Sequence, residues 1–227
     1  TVPHVLCGGF TKEETEYLLV DCHYLGIENV MALRGDAMSH QKYFEASNGG
    51  HQYATELVTQ IQNLNCGKYL HDVIEADNCA DFCIGVAGYP EKHLEAPSLQ
   101  TDLKRLKEKV DAGADYVVTQ MFFDNNKYFQ FVDAAKKAGI NVPIIPGIKP
   151  LAVKRHLQLL PQVFRIDIPE PLINAVESCK TNKDVRQVGV EFAIQQSKEL
   201  LAAGVPVLHY YSMGKSDNIQ AIAKELF

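Results

Sequence analysis

A chain of 227 residues with 46% hydrophobic and 22% charged content can bury one sizeable core and is expected to fold as a single domain. Its net charge of -6, with no run of five basic residues, excludes a phosphate-backbone or anionic-membrane footprint, and no apolar run approaches the roughly 20 residues of a membrane span. A small-molecule partner, with neither nucleic acid nor membrane, is the remaining expectation.

Residues 4–7 read as a strand running into Gly8-Gly9, so the chain is expected to begin inside a fold rather than with a secretory leader. Thr11 with Glu14 offers a helix cap, and Leu25-Gly26-Ile27 a stop. A strand at 29–33 leads to Arg34-Gly35-Asp36, and residues 37–50, rich in Ser, Asn, Gly and His, read as a mobile loop before a helix from about Tyr53. A third strand, 82–87, runs to Tyr89-Pro90-Glu91-Lys92-His93. Ser98 with Asp102 nearby can cap the next helix, which stops at Ala112-Gly113-Ala114 before a strand at 116–122. Asp124 caps a helix ending at Ala138-Gly139-Ile140, followed by a strand at 143–148. Thr181 with Asp184 caps a helix ending at Ala203-Gly204-Val205, and a last strand spans 206–211. Gly214-Lys215-Ser216 lacks the earlier glycine of a phosphate loop and reads as the lead into a final helix.

Six buried strands alternating with helices predict an α/β protein with a parallel sheet. Polar residues gather at or just past the strand ends: Cys7, then Arg34 to Asp36, then Tyr89 with His93, then Gln120 with Asp124, then Lys149, then Tyr211. An open sheet concentrates its ligand contacts at one switch point, whereas a barrel draws on nearly every strand end, so this spread favours a TIM-type barrel.

Each constellation has two readings at this level. Arg34-Gly35-Asp36 permits close ligand approach to backbone and supplies a carboxylate, or is a solvated turn. Tyr89-Pro90-Glu91-Lys92-His93 holds a ring, a rigid corner and an imidazole suited to a planar cofactor, or is a plain Pro turn. Gln120 beside Met121, Phe122 and Phe123 can hydrogen-bond a heterocycle, although core packing explains the aromatics equally. Asp102, Arg105 and Lys109 share a helix face that is commonly just solvated. Tyr210 and Tyr211 alternate sides, and Tyr211 is taken as the rim residue. No cysteine pair or His/carboxylate cluster has metal spacing, so no metal is assigned; the six scattered cysteines suit reduced thiols in the cytoplasm. No GxGxxG, GKS/T phosphate loop or GxSxG motif is present.

Taken in register, Pro3-His4, Ala32-Leu33-Arg34-Gly35-Asp36, Tyr89-Pro90-Glu91-Lys92-His93, Lys109-Val110-Asp111-Ala112-Gly113-Ala114, Thr119-Gln120-Met121-Phe122-Phe123-Asp124 and Ile145-Pro146-Gly147-Ile148 closely resemble methylenetetrahydrofolate reductase. The resemblance implies a (β/α)8 barrel carrying FAD, which passes a hydride from NADH or NADPH to 5,10-methylenetetrahydrofolate for methionine biosynthesis, in a cytoplasmic homo-oligomer. It implies that His4, Leu33, Arg34, Gly35, Asp36, Tyr53, Ala54, Tyr89, His93, Asp102 and Lys109 line the FAD. It also implies that Asp36 and Gln120 are catalytic, and that Gln120, Tyr211 and Lys215 meet folate or nicotinamide. Ala114 is expected to be structural. Lys215 stands where some members have arginine, and Leu160 where some have a phenylalanine that stacks on folate. The match begins at the family's third strand, so residues 1–227 are expected to be one barrel domain covering strands 3 to 8, lacking the first two β/α units and the general-acid glutamate they carry. Two alternatives stay open: a non-catalytic flavin- or folate-binding barrel fragment, and a barrel lyase of aldolase type.

Overall fold

The computed structural model describes residues 1–37, 43–71, 79–214 and 216–227. Along the chain it forms β1 (His4–Leu6), α1 (Lys12–Tyr24), β2 (Asn29–Leu33), α2 (Ala54–Asn65), β3 (Cys83–Gly88), α3 (Leu99–Asp111) and β4 (Tyr116–Met121). It continues with α4 (Asn125–Lys137), β5 (Ile144–Ile148), α5 (His156–Phe164), α6 (Glu170–Ser178), α7 (Asn182–Ala202), β6 (His209–Tyr210) and α8 (Asp217–Leu226). The hydrogen-bonded strand order follows the sequence, β1 to β6, and the pairs β1/β2, β2/β3 and β5/β6 are parallel. Parallel neighbours need a crossover, supplied by α1 and α2 for the first two pairs and by α5, α6 and α7 between β5 and β6. The chain divides into two compact units, residues 1–87 with 105–117, and residues 88–104 with 118–227.

In the first unit, His4 lies opposite Met31 and Leu6 opposite Leu33, while Asn29 lies opposite Cys83 and Ala32 opposite Val86. Val30, Ala32, Ile84 and Val86 are wholly buried on successive strands, as expected where helices cover a parallel sheet. Helix α1 starts at a reciprocal cap in which Thr11 Oγ1 accepts the Glu14 N–H at 3.2 Å and the Glu14 carboxylate accepts the Thr11 N–H at 2.8 Å. Helix α2 buries Leu57, Val58 and Ile61 and packs on β2. Residues 38–42 of the expected loop lie outside the described residues. The later part of that loop is tied down: Phe44 is buried, Lys12 N–H donates to the Gly49 carbonyl, and Ala46 N–H to Gln52 Oε1.

In the second unit, Gly147 lies opposite His209 and Ile148 opposite Tyr210. Asp124 caps α4 by accepting the Asn126 N–H at 2.9 Å, and Thr181 with Asp184 caps α7 reciprocally. The 21-residue α7 packs against α4, α6 and α8. Its Gly189 is an approach point, because a Cβ there would stand 2.0 Å from the Leu151 carbonyl oxygen. Met121, Phe123, Leu151, Leu160, Ile166, Leu172, Val176 and Val185 form one core cluster of this unit.

The helix-glycine-strand cadence holds, since Gly26, Gly113, Gly139 and Gly204 all adopt positive φ after their helices. Several expectations change. The strand expected at 206–211 contracts to His209–Tyr210, because Pro206 offers no amide to a ladder. β1 and β6 are only partly buried, unlike β2 to β4. The cadence does not announce α5 and α6; the first contains Pro161 and the second begins at a Pro169 cap, residues that read as breaks in sequence.

Candidate functional site

The strand ends of the first unit bring Cys7, Gly8 and Arg34-Gly35 together. The β1/β2 ladder extends by one bond past the strands, from Cys7 N–H to the Leu33 carbonyl at 3.0 Å. Gly35 sits at φ 86°, and a Cβ there would have the Gly8 nitrogen and Leu6 Cβ as its nearest neighbours, so the two glycines lie side by side at the strand ends. The Arg34 guanidinium lies 5.2 Å from the Phe44 ring centroid, and Phe44 also fills the space in front of Gly8. Phe44 escaped the sequence reading; its signal is the aromatic pair Tyr43-Phe44 inside an otherwise polar loop. Asp36 is exposed and Leu33 half-buried. Tyr53, exposed, and Ala54 open α2, where the Glu56 carboxylate reaches back to the Gln52 and Tyr53 amides.

His4 is exposed at the opening of β1, opposite Met31, whereas the other assigned residues sit at strand ends or on helices. Lys109, in the last turn of α3, donates to the Ala87 carbonyl of β3. Ala114 is buried, as its structural reading requires. Cys7 is buried beside Glu56, and burial, aided by that carboxylate, pushes its thiol up to about 12, so it is neutral and not a nucleophile.

In the second unit the turn after β3 is built rigidly. Lys92 adopts φ 81°, rare for a residue with a side chain, and its Nζ donates to the Ala96 carbonyl at 2.6 Å. Asp102, buried on α3, accepts the His93 N–H at 2.8 Å. His93 Nδ1 accepts the Glu95 N–H, which leaves Nε2 as the protonated ring nitrogen, and the ring meets Tyr89 edge to face at 4.7 Å. The turn is thus held by several side-chain bonds, and the one from the Glu95 N–H fixes the His93 ring.

Gln120 Oε1 accepts the Met121 N–H at 2.9 Å, which leaves the Nε2 amino group as the donor for a ligand. Beside it, Phe122 and Phe123 are buried core residues, Phe122 stacking on Tyr128 at 5.4 Å, so the packing role of these aromatics is realised. Gln120 shares a recess with Tyr89, Pro90, Glu91, Lys92, Met121, Phe164 and Ile166. The recess is a shallow notch open to solvent, without room for a water molecule, so it is a patch of surface and not a formed pocket.

Tyr210 and Tyr211 take opposite sides as expected. Tyr210 Oη pairs with Ser197 on α7 at 2.7 Å, while Tyr211 Oη donates to the Thr119 carbonyl at 2.8 Å. Burial pushes the Tyr211 phenol up to about 12. Lys149 donates to the Tyr211 carbonyl at 3.2 Å, and burial lowers its basicity. Leu160 is buried in the core cluster rather than offered to a ligand. Lys215 lies outside the described residues. Among the described residues no group of three or more His, Cys, Asp or Glu could hold a metal ion, and no helix is long and apolar enough to cross a membrane.

Residues 1–227 match the family model described as methylenetetrahydrofolate reductase. The chain is 33% identical over 227 residues to Methylenetetrahydrofolate reductase 1 of Schizosaccharomyces pombe, covering 100% of this chain and 35% of that protein. It is 37% identical over 223 residues to Methylenetetrahydrofolate reductase (NADH) 1 of Arabidopsis thaliana, covering 94% and 36%. Against the 5,10-methylenetetrahydrofolate reductase of Escherichia coli K12 it is 34% identical over 225 residues, covering 99% and 69%. The chain thus spans about a third of the length of the two eukaryotic relatives. Among solved structures, a protein from Clostridium thermocellum described as binding two copies of 5-methyl-5,6,7,8-tetrahydrofolic acid aligns with TM-score 0.45 and 16% identity, covering 99% of this chain and 92% of that one. A 2,3-dimethylmalate lyase aligns with TM-score 0.43 and 10% identity, covering 99% and 65%. Likeness at that level decides neither fold nor ligand.

Proposed function

The chain belongs to the methylenetetrahydrofolate reductase family, and on that premise we propose that it is the flavin-carrying part of such an enzyme. In this reading residues 1–227 form one catalytic domain, strands 3 to 8 of a TIM-type (β/α)8 barrel. The reaction is hydride transfer from NADH or NADPH by way of FAD to 5,10-methylenetetrahydrofolate, giving 5-methyltetrahydrofolate for methionine biosynthesis. One observation carries the reading: apart from His4 and Lys109, every described residue that the resemblance assigns lies near the C-terminal end of a strand or in the first turn of the following helix, where barrels of this type place their sites.

The residues present suit a flavin. Gly35, at positive φ beside Gly8, supplies a strand end without a side chain, and the Tyr89/His93 pair offers ring surface. By the resemblance, Leu33, Arg34, Gly35, Asp36, Tyr53, Ala54, Tyr89, His93, Asp102 and Lys109 would hold FAD, with His4 the least supported. When bound, the flavin supplies the hydride relay. Asp36 contributes a fixed negative charge that favours a cationic substrate, and Gln120 orients the substrate ring through its amino group. Tyr211 shapes the site through its ring, its hydroxyl being committed to Thr119.

A second reading draws on Lys149, whose half-buried amine of lowered basicity at the end of β5 is the type of group a Schiff-base lyase uses. The two separate in one spectrum of purified protein. Oxidised-flavin absorption that bleaches with NADH or NADPH and returns with methylenetetrahydrofolate supports the reductase. A flavin colour that neither donor bleaches leaves a binding fragment, and a colourless protein that cannot be reconstituted with FAD, but is trapped by borohydride with a carbonyl compound, moves the assignment to Lys149.

A further inference from the structure

Glu91 lies two residues past Tyr89 on the rim of the Gln120 recess, and the family resemblance gives it no role. Its side chain is only 7% exposed. Oε2 accepts the Asp167 N–H at 3.1 Å and stands 4.0 Å from Lys127 Nζ, which is itself 3.6 Å from the Asp167 carboxylate. Oε1 is buried with no hydrogen-bond partner. A carboxyl group held in this way has one oxygen committed to a backbone amide 76 residues away and the other left dry.

That amide belongs to the joint between α5 and α6. Helix α5 ends on Arg165 at φ 55°, a left-handed conformation unusual for a residue with a side chain. Ile166 then drops into the core cluster, and Asp167 turns its N–H to Glu91. Phe164 and Ile166, on the near side of the joint, line the same recess as Gln120 and Tyr89.

We propose that Glu91 is a positioning residue whose proton governs this joint: through the Asp167 amide it holds Phe164 and Ile166 as a wall of the Gln120 recess, and loss of the proton loosens the hold. An ionised carboxylate favours water over a dry pocket, so its ionisation favours a displaced joint that lets water reach it. The charged groups facing Glu91 are Lys127 from α4 and Asp167 from the joint; the neighbouring Lys92 is turned to the Ala96 carbonyl. The Asp167 N–H and Lys127 favour the ionised form and the Asp167 carboxylate opposes it, but burial is the largest influence and, against that hydrogen bond, pushes the Glu91 carboxyl up to about 7. The closed joint therefore binds a proton that the open, hydrated joint releases. Raising the pH opens the joint and with it the Phe164 and Ile166 wall of the recess.

Amide hydrogen exchange tests this on the protein as it stands, without ligand or activity, so its outcome is separate from that of the reductase reading. In the wild type the protection of the Asp167 amide, corrected for the intrinsic rate, should fall by up to roughly tenfold per pH unit between about pH 5 and 7 and level off above. Glu91→Gln keeps an oxygen for the Asp167 N–H and removes the titration, so its protection should not change with pH. Lys127→Met, which removes the cation favouring ionisation, should move the wild-type midpoint upward. A wild-type protection independent of pH, or a fall repeated unchanged in Glu91→Gln, overturns the proposal.

Discussion

Thr119, Gly147 and Tyr211 show how closely backbone and side chain are fitted at the strand ends of the second unit. The Thr119 hydroxyl accepts the Gly147 N–H at 2.9 Å, the Thr119 carbonyl accepts the Tyr211 hydroxyl, and the Tyr211 ring lies over the glycine. A Cβ on Gly147 would stand 2.2 Å from the Thr119 oxygen and 2.7 Å from the tyrosine ring, so both partners would have to move. Gly147→Ala should therefore destabilise the protein by about 2 kcal/mol or more, within the range of overpacked cores. A urea titration checks this, with Gly204→Ala as the comparison: Gly204 has positive φ but open space, and strain alone should cost about 1 kcal/mol there. If the two variants lose the same stability, crowding is not what fixes Gly147. The motif containing Gly147 was visible in the sequence, but the reason for the glycine was not, because its neighbours are 28 and 64 residues distant.

At the scale of elements, what could be read in advance was what neighbouring residues decide. Thr11 with Glu14, Asp124, and Thr181 with Asp184 all cap as their spacing implies, since a cap needs only residues two or three positions apart. Strand β2 has the bounds its pattern gives, its four central and final residues being apolar. Ser98 keeps its capping contact, accepting the Thr101 N–H, while Asp102 nearby serves His93 instead. Ser216 precedes α8 without a side-chain cap bond, because its backbone is already helical. What could not be read was decided by distant partners: α5 persists through Pro161 because Leu160 is anchored in the core, and its end is set by the bond between Asp167 and Glu91. The same reasoning gives a prediction for α7, the longest helix. Thr181→Ala frees the Asp184 amide and should cost about 1 kcal/mol, seen as a fall of a few degrees in Tm, whereas Thr181→Ser should restore most of it. No difference between the two variants would mean that the hydroxyl does not hold the helix start.

For the molecule as a whole, Glu91 links stability to pH. Its carboxyl is raised from the usual 4.5 to about 7 in the fold. The native protein thus keeps a proton that the unfolded chain releases, so the stabilisation is complete below about pH 4.5 and is lost as pH rises through about 7. The full difference is on the order of 3 kcal/mol. Unfolding free energies at about pH 5 and pH 8 should fall for the wild type and stay nearly level for Glu91→Gln. An equal fall in both would put the proton linkage at another group.

Oxidative damage to a thiol follows its thiolate, and Cys7, with its thiol near 12, exposes on the order of one thiolate in 10⁵ molecules at neutral pH. Peroxide or a mixed disulfide would strike first at Cys66 and Cys79, which are open to solvent. Burying the strand-end sulfur thus shields the β1/β2 strand ends from oxidants and leaves the wear to the periphery.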